Sequence, residues 1–504
     1  MNESRRATAL SRRSALRALA AVGFGSPWLN GRAASSQNAW RRSYAALDGS
    51  IQAGLMGRLE TAAIAVQGRV PAALHGTLYR AGPGRFRLGA TQYTHWFDGD
   101  GMVQAFRIAE GKASHLGVLL RTPKLIEEEA AGRFLYSGFG TEIADARTPR
   151  NADSVNVANI NLLAMNGGKD LYALWEGGSA LQIDPDSLAV QEFKAWSPET
   201  AGAPFSAHPR RGADGTLWNF GYAAGSGKLI LYEIAPDGRL QRQALLDAPQ
   251  ADMVHDLAVT EHNLVFLLMP LRLKAGAKPL GDLNRYEWQR DAALIAMVVS
   301  KADFSVKRFD LPNGGLFHIG NAWEEGGVIK LSYARYSRFL EHLRSLDVTH
   351  PTEPPELLAR WMQVEIDLAK GRASQIDMGL SSVEFPSFDL RLTGARSKFT
   401  VLMQRRGRRG GHSSIGQDTV LTLAGERVQH YQYEAGWIAE EHLYVARGTR
   451  EGEGWVLGTA YDSASERTAL SIFDASHVAD GPMARLQLDY GLPLGLHGQF
   501  VGGA

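Results

Sequence analysis

The feature that most constrains the fold is a series of short apolar runs, each joined to the next by a turn rich in Gly, Asp, Asn or Pro. This alternation is typical of a strand, a tight turn and a second strand. It recurs, without a strict period, in LLAMNGGKDLYALWEGG, ALQIDPDSLAV, LILYEIAPDGRL, AMVVSKADFSV, QVEIDLAKGRAS and SIFDASHVADGP. Antiparallel strands at such intervals over most of the chain favour an all-β propeller, because a sandwich would be too small.

Helical patterns are few, and no boundary divides the series of strands. Short helices are predicted only at PKLIEEEAAGRFL, residues 123–135, and around PPELLARWMQVE, residues 354–365. Neither a shift in composition nor a Pro/Ser-rich linker interrupts the chain. We therefore predict a single domain over residues 36–504.

The first 35 residues have a different character and are left out of the fold. Ser11-Arg12-Arg13 precedes a short apolar region, Ala18–Trp28, and small residues follow it. This resembles a twin-arginine export signal, with Ala15 where Phe is usual. The apolar region is too short and too Gly-rich for a good membrane span. A signal peptide over residues 1–35 predicts an exported, periplasmic protein; a basic tail with chance arginine pairs is the alternative.

Composition excludes several classes of function. The 54 Lys and Arg residues nearly balance the 53 Asp and Glu residues, so no overall field favours nucleic acid. The chain has no Cys, which excludes disulfides, thiolate zinc sites, iron–sulfur clusters and Cys nucleophiles. Any transition metal must therefore be bound by His and carboxylate side chains.

A doubled Asp-Gly lies between apolar runs in TQYTHWFDGDGMVQAFRI, residues 91–108. A helix-loop-helix calcium site is excluded, because apolar and amide residues follow Asp98 and Asp100 where oxygen ligands and a late Glu are needed. Asp-Gly favours the positive backbone angles of a tight hairpin turn, and MVQAFRI is typical of a strand. The sequence predicts a hairpin here and no metal site.

Four of the 14 His residues share a local pattern. His208, His255 and His318 each follow an apolar residue or Ala and come shortly before a predicted hairpin; His497, in LPLGLHGQFV, is the fourth candidate. One His at the same place in successive repeats of a ring would lie near its axis. The repetition leaves two interpretations open, a metal site and hydrogen-bonded core histidines. Eight others are predicted to be surface residues: His75, His115, His262, His342, His350, His412, His430 and His477.

Six segments occur in this order along the chain: GTLYRAGPGRF, HWFDGDGMVQAFRI, FSAHPRRGADG, MVHDLAVTEHNLVF, FHIGNAWEEGG and GLHGQFV. They resemble, in the same order, the conserved blocks of the carotenoid cleavage oxygenases, a family that includes apocarotenoid oxygenases, the retinal-pigment-epithelium membrane receptor and lignostilbene dioxygenases. The resemblance implies a seven-bladed β-propeller with a capping arch of loops and short helices over the iron face. It also implies one Fe(2+) per chain, on the propeller axis, with His208, His255, His318 and His497 as its ligands.

The same resemblance implies an outer shell of three glutamates that accept hydrogen bonds from the iron-binding histidines. Glu176 in LYALWEGG and Glu384 in SSVEFPSF match this pattern, and Glu441 in AEEHLYVAR is the third. His442 stands where the family usually has Pro, which makes Glu440 an alternative to Glu441. A second departure, Ala81 where Asn is common, affects none of the proposed ligands.

The implied activity is cleavage of a C=C bond of an apocarotenoid or carotenoid with O2, which gives two carbonyl products. A stilbene-cleaving dioxygenase, an isomerohydrolase and a metal-free propeller that acts as a binding protein are the alternatives. The implied partners are an apolar polyene and O2, with no nucleic acid. MPLRLKAGAKPLG, residues 269–281, is either a loop that contacts a membrane or a plain surface loop.

Stilbene-cleaving relatives contact the phenol of their substrate with a Tyr and a Lys. The candidates here are Tyr93 and Lys124, although neither can be assigned to the required position from the sequence. A site without such a clamp would select its substrate mainly by burial of apolar surface. Aromatic residues that either line a substrate tunnel or pack in the core are Tyr93, Trp96, Phe97, Trp323 and Phe385.

Overall fold

The structure is a computed structural model that describes residues 57–276, 283–349, 359–406 and 416–503. The predicted export signal lies outside the described residues. Seven antiparallel sheets of four or five strands each follow one another around a ring, and two additional two-stranded ribbons lie in the connections. The predicted seven-bladed β-propeller is therefore confirmed.

The first strands of the chain are β1 (Arg58–Thr61), β2 (Ala65–Gly68), β3 (Gly76–Arg85), β4 (Arg87–Leu88), β5 (Thr91–Gln92), β6 (Asp100–Ala109) and β7 (Lys112–Leu119). Of these, β4 and β5 pair as a separate ribbon, and the others belong to the last two blades. Helix α1 (Pro123–Ala131) follows. Its first turn is favoured by the side chain of Thr122, which caps the Leu125 N–H, and by Pro123 at the first helical position.

Five blades then follow in chain order, each with its innermost strand first. Blade 1 contains β8 (Asn161–Met165), β9 (Asp170–Leu174), β10 (Leu181–Ile183) and β11 (Val190–Phe193). Blade 2 contains β12 (Arg210–Arg211), β13 (Leu217–Tyr222), β14 (Lys228–Ile234) and β15 (Leu240–Asp247). Blade 3 contains β16 (Leu257–Val259), β17 (Asn263–Leu268), β20 (Leu294–Ser300) and β21 (Val306–Leu311), with the ribbon β18 (Leu271–Leu273) and β19 (Tyr286–Trp288) between them.

The remaining blades complete the ring. Blade 4 contains β22 (Gly315–Glu325), β23 (Val328–Tyr336), β24 (Arg360–Asp367) and β25 (Arg372–Ser381), with helix α2 (Phe339–Ser345) after β23. Blade 5 contains β26 (Val383–Phe388), β27 (Phe399–Gln404), β28 (Thr419–Ala424) and β29 (Arg427–Gln432). Blade 6 contains β30 (Trp437–Ala446), β31 (Gly454–Asp462), β32 (Arg467–Asp474) and β33 (Ala484–Gln487), and β2 pairs with β33 as its outermost strand. Blade 7 contains β34 (Gly498–Gly502), which pairs with β3, and then β6, β7 and β1 in that order outward.

The two ends of the chain close the ring by sharing blades. Strand β34 pairs with β3 from Gly76↔Gly502 to Arg80↔Gly498, and β2 pairs with β33. Apolar side chains from neighbouring blades fill the space between the sheets. Phe220 of blade 2 and Phe266 of blade 3, for example, are fully buried and meet edge to face with ring centroids 5.3 Å apart. Burial of these side chains stabilises the ring.

The cap over one face of the propeller is built from the β3–β6 connection and helix α2. The His95 Nε2–H donates a hydrogen bond to the Leu343 carbonyl at 2.9 Å, and the backbone N–H of Trp96 donates to the Leu346 carbonyl at 2.9 Å. Phe97 contacts Phe317 of the innermost strand β22 edge to face. The predicted arch of loops and short helices is confirmed. None of the helices in the described ranges has the length and apolar character of a membrane span.

Two local predictions were wrong. The second expected helix, residues 354–365, lies partly outside the described residues, and from Arg360 onward the chain is strand β24. The doubled Asp-Gly is not a positive-φ hairpin turn: Asp98 ends a 3-10 turn and Gly99 has φ −62°. Gly101 is needed for close approach, because a Cβ there would lie 2.4 Å from the Val157 carbonyl oxygen. The following strand, β6, is confirmed.

Candidate metal centre

The four predicted histidines lie where innermost strands begin. His208 and His255 come just before β12 and β16, His318 is the fourth residue of β22, and His497 directly precedes β34. The innermost strands surround the axis of the ring, so side chains at their starts converge there. The pattern of one His per repeat arises from this arrangement.

The structure brings the four side chains together in a buried group. Ligand nitrogens of His208, His255, His318 and His497 all lie within 4.8 Å of one another. The Nε2 atoms of His208 and His255 are 3.0 Å apart, and those of His318 and His497 are also 3.0 Å apart. Two nitrogens that bind one metal at about 2.1 Å and at right angles would be separated by about 3.0 Å. The spacing fits a shared ion.

The three predicted glutamates each contact one of these rings. Nδ1 of His255 lies 2.9 Å from Glu176, Nδ1 of His318 lies 2.5 Å from Glu384, and Nδ1 of His497 lies 2.9 Å from Glu441. A carboxylate accepts hydrogen bonds, so each ring carries its proton on Nδ1 and directs the lone pair of Nε2 inward. The tautomers are assigned from these partners.

The inner nitrogens are therefore arranged so that they could share a cation. With protons on both Nδ1 atoms, the Nε2 lone pairs of His318 and His497 face each other at 3.0 Å and cannot form a hydrogen bond. A metal ion between them removes this repulsion. Burial, reinforced by the neighbouring histidines, lowers the pKa of His208 and of His318 well below the usual range, which favours the neutral, metal-binding form. The donor set fits a transition metal.

Each glutamate has a second contact, which for Glu441 is the Gly498 N–H at 3.0 Å. Glu176 accepts a hydrogen bond from the Tyr222 hydroxyl, and Glu384 accepts one from the Tyr336 hydroxyl at 2.8 Å. Burial raises the pKa of Glu384 to about 7. For Glu441 burial opposes ionisation, but the contact with His497 outweighs it and lowers the pKa. These contacts orient the carboxylates that in turn orient the rings.

The structure places Glu441, and not Glu440, against His497. Glu440 instead accepts hydrogen bonds at 3.0 Å from Arg80, Thr459 and the Gly495 N–H. Arg80 is almost fully buried, and its other Nη atom donates to the Glu441 carbonyl at 3.0 Å. The neighbouring His442 points away from the group, toward the Tyr433 hydroxyl at 2.9 Å, and burial lowers its pKa to about 3.

An apolar cavity of about 90 Å³ adjoins the group on the cap side. His255, His318 and His497 form part of its wall. Of the aromatic residues considered from the sequence, Trp96, Phe97 and Phe385 also line it, whereas Tyr93 and Trp323 are not part of its wall. A second cavity, of about 640 Å³, reaches His208, His318 and His497 from the other side. The four histidines therefore separate two cavities along the axis.

The two residues considered as a phenol clamp lie outside both cavities. Lys124 is buried between Asp100 and Glu128, at 2.8 and 2.7 Å from their carboxylate oxygens. The Tyr93 hydroxyl donates to the Tyr136 carbonyl at 2.8 Å, and its ring stacks on Phe134. Both polar groups are thus engaged within the protein.

Several polar residues at the site were not predicted, and two histidines were misjudged. Tyr222, Tyr336 and Arg80 were missed, although Arg80 stands inside one of the matching blocks. His115, expected at the surface, is buried between Gln104 and Tyr490, and His342 forms part of the cavity wall. The predicted surface positions of four others agree with the structure: His75, His262, His430 and His477. His350 and His412 lie outside the described residues.

Comparison with known proteins identifies the family. A family model described as retinal pigment epithelial membrane protein matches residues 57–502. The chain is 30% identical over 461 residues to an apocarotenoid-15,15'-oxygenase of Synechocystis sp., covering 86% of this chain and 92% of that one. It is 27% identical over 475 residues to lignostilbene-alpha,beta-dioxygenase isozyme III of Sphingomonas paucimobilis, covering 86% and 93%.

The fold comparison agrees with the sequence comparison. The crystal structure of cobalt-substituted Synechocystis apocarotenoid oxygenase superposes with a TM-score of 0.82 at 27% identity, covering 93% of this chain and 100% of that one. The chain belongs to the retinal pigment epithelial membrane protein family, which is the carotenoid cleavage oxygenase family expected from its motifs. Its predicted enzyme class, dioxygenase, agrees with the names of these relatives.

Proposed function

We propose that this protein is an Fe(II)-dependent dioxygenase that cleaves one C=C bond of an apocarotenoid or carotenoid with O2 and releases two carbonyl products. The observation that carries the proposal is the group of four histidines, three of them held by glutamates, in the wall of an apolar cavity. His208, His255, His318 and His497 would hold the metal.

Iron is the metal that the family resemblance implies, and the donor set and the reaction support it. Imidazole nitrogens suit Fe, Zn, Cu and Ni, and the chain has no thiolate to favour another metal. Zinc is excluded for a reaction with O2 because it has no redox chemistry. When bound, Fe(II) supplies the redox chemistry that lets O2 react with an alkene. Adding both oxygen atoms across the broken C=C bond gives two C=O groups, so the reaction needs no further reductant.

The chain's own residues position the alkene and exclude water. Phe317 and Phe385 lie against the histidine group, the latter stacked on His318 with ring centroids 5.1 Å apart. Phe97 contacts Phe317 from the cap. An apolar chain threaded between these rings would present a double bond to the histidines and displace solvent from the cavity. No side chain acts as a nucleophile in this scheme.

The substrate class is proposed from what the cavity lacks. Within the described residues, the Lys and Tyr considered as a phenol clamp are engaged elsewhere, Lys124 with two carboxylates and Tyr93 with a backbone carbonyl. Selection then rests mainly on burial of a long apolar chain, at about 25 cal/mol per Å² of apolar surface. This supports an apocarotenoid over a hydroxystilbene, although the similarity to a lignostilbene dioxygenase keeps stilbenes as the second candidate.

Incubation of the iron-loaded protein with apocarotenals and with hydroxystilbenes, followed by mass spectrometry of the products, tests the proposal. We expect two carbonyl fragments from an apocarotenal. Efficient cleavage of hydroxystilbenes without activity on any apocarotenoid would reassign the substrate. Absence of bound metal would instead favour the metal-free binding protein.

Location and membrane contact remain part of this proposal. The Arg12-Arg13 pair supports export of the folded protein, and residues 1–35 lie outside the described residues. Of the loop considered for membrane contact, residues 269–281, the first part forms strand β18 and residues 277–281 lie outside the described residues. An apolar polyene would reach the enzyme most readily from a membrane or a carrier.

A further inference from the structure

One part of the cap-side cavity wall, the polar end, contains Arg405, His342 and Gln417. Arg405 donates to the carbonyl of Gly416, the neighbour of Gln417, and its charge acts on His342. Most of the remaining wall is apolar, with Trp96, Ile160, Leu346 and Ile438 among its residues. A purely apolar substrate would leave the polar groups without partners. The polar end therefore carries information about the substrate.

Arg405 is a cation without a carboxylate partner. It follows strand β27 directly, and its backbone N–H donates to the Ser382 carbonyl at 3.0 Å. Its Nε and Nη2 atoms donate to a single acceptor, the Gly416 carbonyl, at 3.3 and 3.0 Å. Among the residues that the structure describes, no carboxylate lies within ion-pair distance of Arg405, and Nη1 has no acceptor.

Partial burial makes this arrangement unfavourable in the free protein, because Arg405 is only half-exposed to solvent. Desolvation lowers the pKa of Arg405, and Asp418 opposes the effect. A guanidinium nevertheless remains charged at any physiological pH. A partly desolvated charge without a partner is costly, and a carboxylate satisfies it with two parallel hydrogen bonds. An anionic group brought by a ligand would supply what the protein does not.

The neighbours of Arg405 leave room for such a group. The buried Nδ1 of His342 has no hydrogen-bond partner among the described residues, and the same is true of Oε1 of Gln417. Burial lowers the pKa of His342 to about 4, so its ring is neutral and can donate one N–H. The ring stacks on Tyr336 with centroids 4.5 Å apart, which fixes its orientation.

The carboxylates in the cavity wall do not compete for Arg405. Glu384 already accepts hydrogen bonds from His318, Tyr336 and the Phe385 N–H. Glu440 is paired with Arg80 at 3.0 Å. Among the wall residues that the structure describes, Arg405 is thus a cation without a carboxylate partner.

The position of Arg405 relates it to the proposed reaction. Tyr336 lies close enough to Arg405 to act on its pKa, and the Tyr336 hydroxyl donates at 2.8 Å to Glu384, which contacts His318. A ligand whose charged end contacts Arg405 would therefore extend past Tyr336 toward the histidine group. Its conjugated chain would lie among the aromatic residues of the wall.

We propose that Arg405 binds a carboxylate at one end of the substrate, so that the preferred substrate is a polyene acid rather than the corresponding ester or alcohol. His342 donates a second hydrogen bond to the same carboxylate. This inference rests on the proposed function, because it assumes that a polyene is the substrate whose double bond is cleaved. Binding of the carboxylate by Arg405 can nevertheless be measured without cleavage. Arg405 acts as a specificity-determining residue.

The test measures binding without turnover. Retinoic acid and methyl retinoate are titrated into the metal-loaded protein under anaerobic conditions, and quenching of tryptophan fluorescence is followed; Trp96 lies in the cavity wall. Wild-type protein should bind the acid more tightly than the ester. Arg405→Met should weaken the acid about tenfold to a hundredfold, the range for loss of a charged hydrogen bond, and change the ester little.

Two further variants separate recognition from damage to the fold. Arg405→Lys keeps the charge and should retain part of the preference for the acid. Arg406→Met is the matched control, because Arg406 is exposed and does not line the cavity; it should behave like wild type. Equal binding of acid and ester by wild type, or an equal loss of both in Arg405→Met, would overturn the proposal.

The outcomes also distinguish this inference from the proposed function. Arg405-dependent binding of the acid, together with failure to cleave any polyene, would refute the function and leave the recognition site intact. Cleavage of neutral polyenes by wild type, with no preference for acids, would refute the recognition site alone.

Discussion

Arg80 provides the sharpest test of how the metal centre is supported. Its side chain is 2% exposed and pairs with Glu440, 5% exposed, at 3.0 Å. It also donates to the Glu441 carbonyl, next to the carboxylate that contacts His497. Arg80→Met removes the positive charge and leaves a buried carboxylate without its partner.

The magnitude follows from the burial of the pair. Breaking a buried ion pair by removing one member costs about 3–5 kcal/mol. The unfolding entropy is about 2.1 cal/mol/K per residue, so a domain of about 450 residues has a total unfolding entropy of about 0.9 kcal/mol/K. Arg80→Met should therefore lower Tm by about 3–5 °C.

Differential scanning calorimetry measures this effect, and the chain offers a matched control. Arg58 and Glu60 form an ion pair of nearly the same length, 2.9 Å, but are 46% and 59% exposed. Arg58→Met should change Tm by less than about 1 °C, because exposed pairs contribute about 0–1 kcal/mol. The double variant Arg80→Met/Glu440→Gln should recover part of the loss. Equal effects of the two single substitutions would refute the reasoning.

Three further outcomes are expected. Glu384→Gln should weaken iron binding about tenfold to a hundredfold in a chelator competition, whereas Glu325→Gln, at an exposed position, should leave it unchanged. Equal affinities of the two variants for iron would exclude the supporting role of Glu384. Phe385→Ala should lower kcat/KM for an apocarotenal roughly tenfold or more, because it removes apolar contact beside His318. An unchanged kcat/KM would indicate that the substrate does not bind in this cavity. Replacing both Arg12 and Arg13 with Lys should keep the precursor in the cytoplasm, as fractionation would reveal; normal processing would indicate another type of signal.

Much of the fold and the histidine group could be predicted because their signals are local and repeated. A His shortly before a turn and a strand is visible within a few residues, and His208, His255 and His318 repeat it in three blades. The alternation of apolar runs and turns likewise specifies strands one pair at a time. Order around the ring then follows from chain order for five of the seven blades.

The supporting contacts could not be predicted because they join distant parts of the chain. Arg80 and Glu440 are 360 residues apart in the sequence, and Tyr336 and Glu384 are 48 residues apart. Apart from the family block in which it stands, nothing near Arg80 in the sequence distinguishes it from an exposed arginine in a strand. His115 was misjudged for the same reason, since its partner Tyr490 lies 375 residues away.

The error at the doubled Asp-Gly has a different cause. The residue pair favours a hairpin turn, but the buried Asp98 instead accepts hydrogen bonds from the N–H groups of Phe139 and Gly140, at 2.6 and 3.1 Å. These tertiary contacts fix the loop against the cap and override the local preference. The family resemblance identified the block correctly, whereas its turn chemistry alone did not.

Elemental analysis of the purified protein tests the central claim most directly. We expect about one iron per chain in wild type, because one nitrogen from each of four imidazoles converges on one point. His255→Ala removes one of these nitrogens and the ring held by Glu176, and should lose most of the iron. Wild-type iron content in His255→Ala, or a wild-type protein that binds no iron when supplied with Fe(II), would contradict the assignment of this group as the metal centre.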